Sequence, residues 1–190
     1  MQTRRRWKKY NDKGAKMKKP LVIAVVGSKS SGKTTTIEAL TRELTKRGYK
    51  IAVVKHIPEP DFTIDTVGKD TWRFAQSGAK TIISVASNEI ATIEKIKAKN
   101  FPLKEIMQKC KGYDIVFLEG FRKFVAGKKD IPKIVVVRSA KEVSETAKNL
   151  KPILAFTGPC STENLNLKIP YVNVLKNPEK IADIVEKVVL

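Results

Sequence analysis

Six apolar residues in a row, Leu21-Val-Ile-Ala-Val-Val26, are followed at once by a polar, glycine-bearing stretch. A continuous run of that length without alternation is the pattern of a parallel strand covered on both faces. From Lys33 to Arg47 the spacing changes: Ile37, Leu40 and Leu44 share one face of a helix, and Gly48 ends it. Further strands are predicted at Lys50–Val54, Tyr113–Leu118, Lys133–Val137, Pro152–Phe156 and Tyr171–Val174. Thr81–Val85 and Ile90–Ile93 form a hairpin around Ser87-Asn88. Helices are predicted over Asp70–Gln76, from Pro102 to about Cys110, after the Ser139…Glu142 capping spacing, and from Asn177-Pro178 to the end, where Ile181, Ile184, Val185 and Val188 share a face. Strands alternating with helices imply an α/β sandwich around a mostly parallel twisted sheet, with helices on both faces and a small β appendage.

The segment between the first strand and first helix reads Gly27-Ser-Lys-Ser-Ser-Gly-Lys-Thr34, which satisfies G-x-x-x-x-G-K-[ST] at every fixed position. Glycines allow the tight turn that aims several backbone N–H groups at a phosphate in front of a helix N-terminus. Lys33 would bridge the β- and γ-phosphates, and the Thr34 hydroxyl would ligate Mg²⁺. Gly27, Ser28, Lys29, Ser30, Ser31, Gly32, Lys33, Thr34 and Thr35 are therefore the expected nucleotide contacts. An acid is also needed on the metal side. Glu119, ending the strand Tyr113–Leu118, is placed for it; Asp70 is either a second such acid or the cap of its own helix.

Charge adds a tail and a bias. The formal net charge is +19, from 38 Lys and Arg against 19 Asp and Glu. The first twenty residues hold nine basic side chains against one acid, and the remainder 29 against 18. Residues 1–19 are read as a basic flexible tail or upstream extension, with Met17 a second candidate start, and 20–190 as the nucleotide-binding domain. The basic body favours anionic ligands through long-range attraction. No recognition motif accompanies Trp7 and Tyr10, so no specific nucleic-acid partner is expected. No apolar run approaches the roughly 20 residues of a membrane span. Cys110 and Cys160 lack metal or disulfide spacing, and a cytoplasmic protein with reduced thiols is expected.

Four further motifs carry a resemblance. Val54-Lys55-His56, Gly68-Lys69-Asp70-Thr71 with Ser77-Gly78-Ala79, Leu118-Glu119-Gly120-Phe121-Arg122, and Pro132–Arg138 resemble, in order, those of the molybdopterin-guanine dinucleotide biosynthesis protein B (MobB) family, over residues 21 to about 158. The resemblance implies a P-loop protein that binds GTP with at most weak GTPase activity, often as a homodimer. It would work beside a MobA-type molybdopterin guanylyltransferase in molybdenum or tungsten cofactor maturation, with molybdopterin itself a candidate ligand. It puts Thr34, Asp70 and Glu119 around Mg²⁺, with the two acids in the catalytic role, and His56 at the mouth of the site. Two departures stand out. His56 is the sole histidine, followed by Ile57-Pro-Glu-Pro-Asp61 where relatives often have more histidines. The loop after Phe156 reads Thr157-Gly158-Pro159, where many members have an Asp suited to guanine; Thr157 is the expected contact there. The alternative from another class is a small-molecule kinase using ATP, but Arg42, Arg47, Arg73, Arg122 and Arg138 are too scattered to form a lid.

Overall fold

The computed structural model describes residues 19–96, 103–160 and 168–189; the tail predicted over 1–19 lies outside these except for Lys19, as does Pro102. Two compact units are present, one built from the chain up to Lys55 and again from Cys110 onward, the other from His56–Lys109.

In the first unit five strands lie parallel in the order β2 (Ile51–Lys55), β5 (Ile115–Glu119), β1 (Leu21–Gly27), β6 (Lys133–Val136), β7 (Ile153–Thr157). The helices are α1 (Lys33–Lys46), α4 (Arg122–Val125), α5 (Ala140–Asn149) and α6 (Pro178–Val189). On one sheet face Ile23, Val25, Ile115, Phe117, Ile134 and Val136 join Ile37, Leu40 and Leu44 of α1 with Ile181, Ala182 and Val185 of α6 in a single apolar cluster. The alternate positions Ala24, Val26, Val116 and Leu118 are buried too, and α4 packs against β1. Covering both faces is what turns these strands into unbroken apolar runs. Arg47 links the two helices, bonding Glu43 of α1 and Asp183 and Glu186 of α6. Lys133 is fully buried, and its ammonium donates to the Lys128 and Lys151 carbonyls; burial pushes its pKa down.

One strand is corrected. Tyr171–Val174 makes a single bridge, Tyr171 to Phe156, and no ladder. The N–H of Val174 is taken instead by the Thr157 hydroxyl, and Asn173 turns the chain directly afterwards.

The second unit holds α2 (Asp70–Gln76), the antiparallel hairpin β3 (Thr81–Val85) and β4 (Ile90–Glu94), and α3 (Leu103–Lys109). Among its described residues only Ile82 is buried.

Candidate nucleotide-binding site

All five parallel strands end on one edge of the sheet, and β1, at its centre, delivers the glycine loop there. Open parallel sheets bind ligands at this edge. A Cβ on Gly27 would lie 2.5 Å from both the Ser31 Oγ and the Val136 carbonyl oxygen, so only glycine passes between the loop and β6. Ser30 and Gly32 have φ of 57° and 96°, left-handed turns that curl the loop in front of α1. The N-cap Gly32 offers no side-chain acceptor, and the first turn of α1 contains no acid. The positive end of that 14-residue helix is therefore left to an anion. The Ser31 hydroxyl is buried without a hydrogen-bond partner among the described residues. Lys33 donates from Nζ to the Ser28 carbonyl at 2.6 Å, folding back over the loop. Desolvation lowers its pKa, while the charge of Glu119 opposes that shift.

Strand register brings the acid to the loop. Glu119 pairs with Val25 on β1 and with Lys55 on β2. Its side chain meets the start of α1, where the Thr34 hydroxyl donates to Oε1 at 3.0 Å. Lys55 Nζ stands 3.7 Å from the same oxygen. Glu119 is only 8% exposed, so this charge is kept buried by its partners. A hydroxyl and a carboxylate are hard oxygen donors, the set that suits Mg²⁺. No group of three or more His, Cys, Asp or Glu among the described residues is arranged to hold a metal.

The other expected residues fall elsewhere. Asp70 is the first residue of α2, after the N-cap Lys69, and makes no cap bond; its side chain is 84% exposed and pairs with Arg73 at 3.8 Å. It belongs with His56 to the second unit, so the first unit by itself unites the loop, Thr34 and Glu119 but not these two. Thr157 is fully buried, its hydroxyl accepting the Val174 N–H at 3.2 Å, which makes it a brace between two loops. Lys29 is exposed on the loop.

Glu142 was foreseeable from sequence only as a capping residue. Ser139 does cap α5 by accepting from the Glu142 N–H, but the carboxylate reaches further. Its Oε2 accepts the Arg138 N–H at 2.8 Å, and Oε1 accepts from the Ser28 hydroxyl at 3.3 Å, 114 residues away. The loop is thus latched to the start of α5. The Arg138 backbone N–H holds the Glu142 carboxyl below the usual carboxylate range.

The family description "Molybdopterin guanine dinucleotide synthesis protein B" matches residues 22–158, most of the chain. The chain belongs to the MobB family. A Haemophilus influenzae molybdopterin-guanine dinucleotide biosynthesis adapter protein is 32% identical over 119 residues, 62% of this chain and 63% of the relative. A Methanocaldococcus jannaschii protein that carries the same adapter name provisionally is 37% identical over 120 residues, 62% of this chain and 47% of the relative. The chain thus spans about half to just under two-thirds of the length of these curated relatives. A crystal structure of a molybdopterin-guanine biosynthesis protein B superposes with a TM-score of 0.64 at 27% identity, covering 89% of this chain and 99% of that one. The parallel sheet with its flanking helices matches that MobB structure, and this chain also holds a small antiparallel hairpin. No helix among the described residues is long and apolar enough to cross a membrane.

Proposed function

We propose that this MobB-family chain is a GTP-binding adapter in the formation of molybdopterin guanine dinucleotide, with at most slow GTPase activity of its own. The observation that carries the reading is the meeting of the glycine loop, Thr34 and Glu119 at the central strand end of the sheet. Backbone N–H groups of the loop and the N-terminus of α1 would hold the phosphates, and Lys33 would swing from the Ser28 carbonyl to them. Thr34 directly, and Glu119 through water, would hold Mg²⁺, with Asp70 a further candidate for the metal side. Bound there, the ion would neutralise charge between β- and γ-phosphate oxygens. Slow turnover is part of the proposal: the arginines of the body are scattered along the sequence, and Arg138 is engaged with Glu142 at 3.5 Å.

The partners of this reading are a MobA-type guanylyltransferase, molybdopterin as a candidate ligand, and a second copy of the chain. The hairpin supports the last. Ile83, Val85 and Ile90 are 61%, 75% and 69% exposed, and Val85 and Ile90 are directly paired across the strands. A two-stranded sheet with an uncovered apolar face is marginal alone and gains from self-association.

Thermal unfolding with Mg·GTP, Mg·ATP or neither tests the nucleotide reading. Ligand at 100 times its dissociation constant adds about 2.7 kcal/mol, a rise of roughly 5–10 °C for a domain of this size. The expected result is a shift with GTP that is lost in Lys33→Ala. An ATP-selective shift would move the chain to the small-molecule kinases, and steady-state hydrolysis above about 1 s⁻¹ would remove the slow-GTPase reading.

A further inference from the structure

Beside the phosphate loop lies an open cleft of about 260 Å³. One wall is the loop and first turn of α1, including Gly32 and Thr35; the other is Gly158-Pro159 together with Asn173 and Leu175. Gly158-Pro159 lies in the loop that the family resemblance already turns toward guanine, whereas Asn173 and Leu175 belong to none of the sequence motifs. We propose that this cleft receives the purine of the nucleotide held by the loop, and that the Asn173 side-chain amide selects a 6-oxo purine over a 6-amino purine. The proposal rests on the nucleotide-binding reading above and assigns its base specificity.

Three observations carry it. First, the Asn173 amide has a fixed orientation. Its Oδ1 accepts the N–H groups of Leu175 and Lys176, at 3.1 and 3.2 Å, so the oxygen end is identified by two backbone donors. The NH₂ end donates to no protein group among the described residues, and Asn173 is one of the residues that line the cleft. Secondly, the wall is braced. The Tyr171 hydroxyl donates to the Gly158 carbonyl, and the Thr157 hydroxyl accepts the Val174 N–H. Gly158 has φ 139°, and a Cβ there would stand 1.9 Å from the Val137 carbonyl oxygen, so the backbone seats tightly on the end of β6. Thirdly, the rim is apolar and unpaired: Leu175 is 70% exposed, and with Pro159 it supplies the flat apolar contact that a heteroaromatic ring takes.

The chemistry follows from donor and acceptor types. The 6-oxo edge of guanine presents two acceptors, O6 and N7, and the NH₂ group of Asn173 carries two donors. Adenine presents a donor at N6, which opposes an amide N–H. A carboxylate would instead read the N1–H and 2-amino groups, and Thr157-Gly158-Pro159 contains none. Selection through O6 and N7 ignores the 2-amino group, so inosine and guanine nucleotides should bind alike.

The test is competition of Mg·GTP, Mg·ITP and Mg·ATP against a fluorescent guanine nucleotide on the full chain and on Asn173→Asp. Aspartate keeps an oxygen for the Leu175 and Lys176 N–H groups but replaces the two donors with an acceptor. The expected result is GTP and ITP within about threefold of each other and about tenfold or more tighter than ATP. In Asn173→Asp both 6-oxo nucleotides should weaken about tenfold or more while ATP holds or improves, with the nucleotide-free melting temperature retained. Wild-type GTP binding well ahead of ITP, ATP binding equal to GTP, or unchanged GTP binding in Asn173→Asp would each overturn the assignment while leaving the phosphate site standing. Absence of binding by all three, or binding that survives Lys33→Ala, would overturn the nucleotide reading and this assignment with it.

Discussion

The two units of this chain solve the burial problem differently. The parallel sheet has α1 and α6 on one face and α4 on the other, and Phe117, Ile23, Ile115 and Leu40 lose all contact with solvent. The unit from His56 to Lys109 buries only Ile82 among its described residues and displays Ile64, Val67, Phe74, Ile83, Val85 and Ile90 to solvent. Within it Asp65 accepts from the Thr66 N–H and the Thr71 hydroxyl, Lys95 donates to the Thr63 hydroxyl, and Lys109 pairs with Glu94. A sheet buried on both faces supplies its own stability and can hold a site rigid. A hairpin with one open apolar face is stabilised by what covers it, which suits a unit devoted to contact.

The sharpest way to break this contrast is a matched pair of truncations. Phe117→Ala empties the centre of the sheet core and should cost about 3–5 kcal/mol in urea denaturation. Ile83→Ala in the open hairpin face should change the denaturation of the dilute chain by less than about 0.5 kcal/mol. A comparable loss from both would mean that the hairpin is covered within one chain. Val85→Lys comes next in size: a charge on the proposed self-association face should weaken it about tenfold or more in sedimentation equilibrium, near 1.4 kcal/mol. An unchanged molecular mass would place the contact elsewhere.

Glu142→Gln is smaller than Phe117→Ala or Val85→Lys, below about 1 kcal/mol at neutral pH. It also has a defined pH signature. The folded carboxyl titrates below its ordinary value of 4.5, so the stability it supplies is present above about pH 4.5 and is lost as pH falls through the folded value. Melting temperatures from pH 6 to 3 should therefore fall less steeply in Glu142→Gln than in the native chain. Parallel curves would show that the ionised Glu142 carboxylate, held chiefly by the Arg138 N–H, contributes nothing to stability.

Where the signal was local, sequence and structure agree. Leu21–Gly27, Lys33–Lys46 and Asp70–Gln76 lie within a residue or so of their predicted spans, because strand burial and helix periodicity are written in neighbouring residues. The capping spacing at Ser139 was also legible. Tyr171–Val174 read as a strand, yet after the Val172 N–H bonds the Phe156 carbonyl, the Val174 N–H goes to a threonine hydroxyl and the next two N–H groups to the Asn173 carboxamide, choices a hydrophobic pattern does not register. The short α4 and the latch from Glu142 to Ser28 were illegible for a related reason.

By itself the sequence determined the fold class, the position of the glycine loop with Lys33 and Thr34 between the first strand and the first helix, and the family to which the chain belongs. These depend on residues adjacent in the chain or on motifs of fixed spacing. Only the tertiary structure decided that Glu119 reaches Thr34, that Thr157 braces rather than lines a cleft, and that Asn173 stands there instead. The first two pairings join residues 85 and 17 positions apart, and the parallel register and the loop-to-loop hydrogen bonds that create them exist only once the sheet has formed.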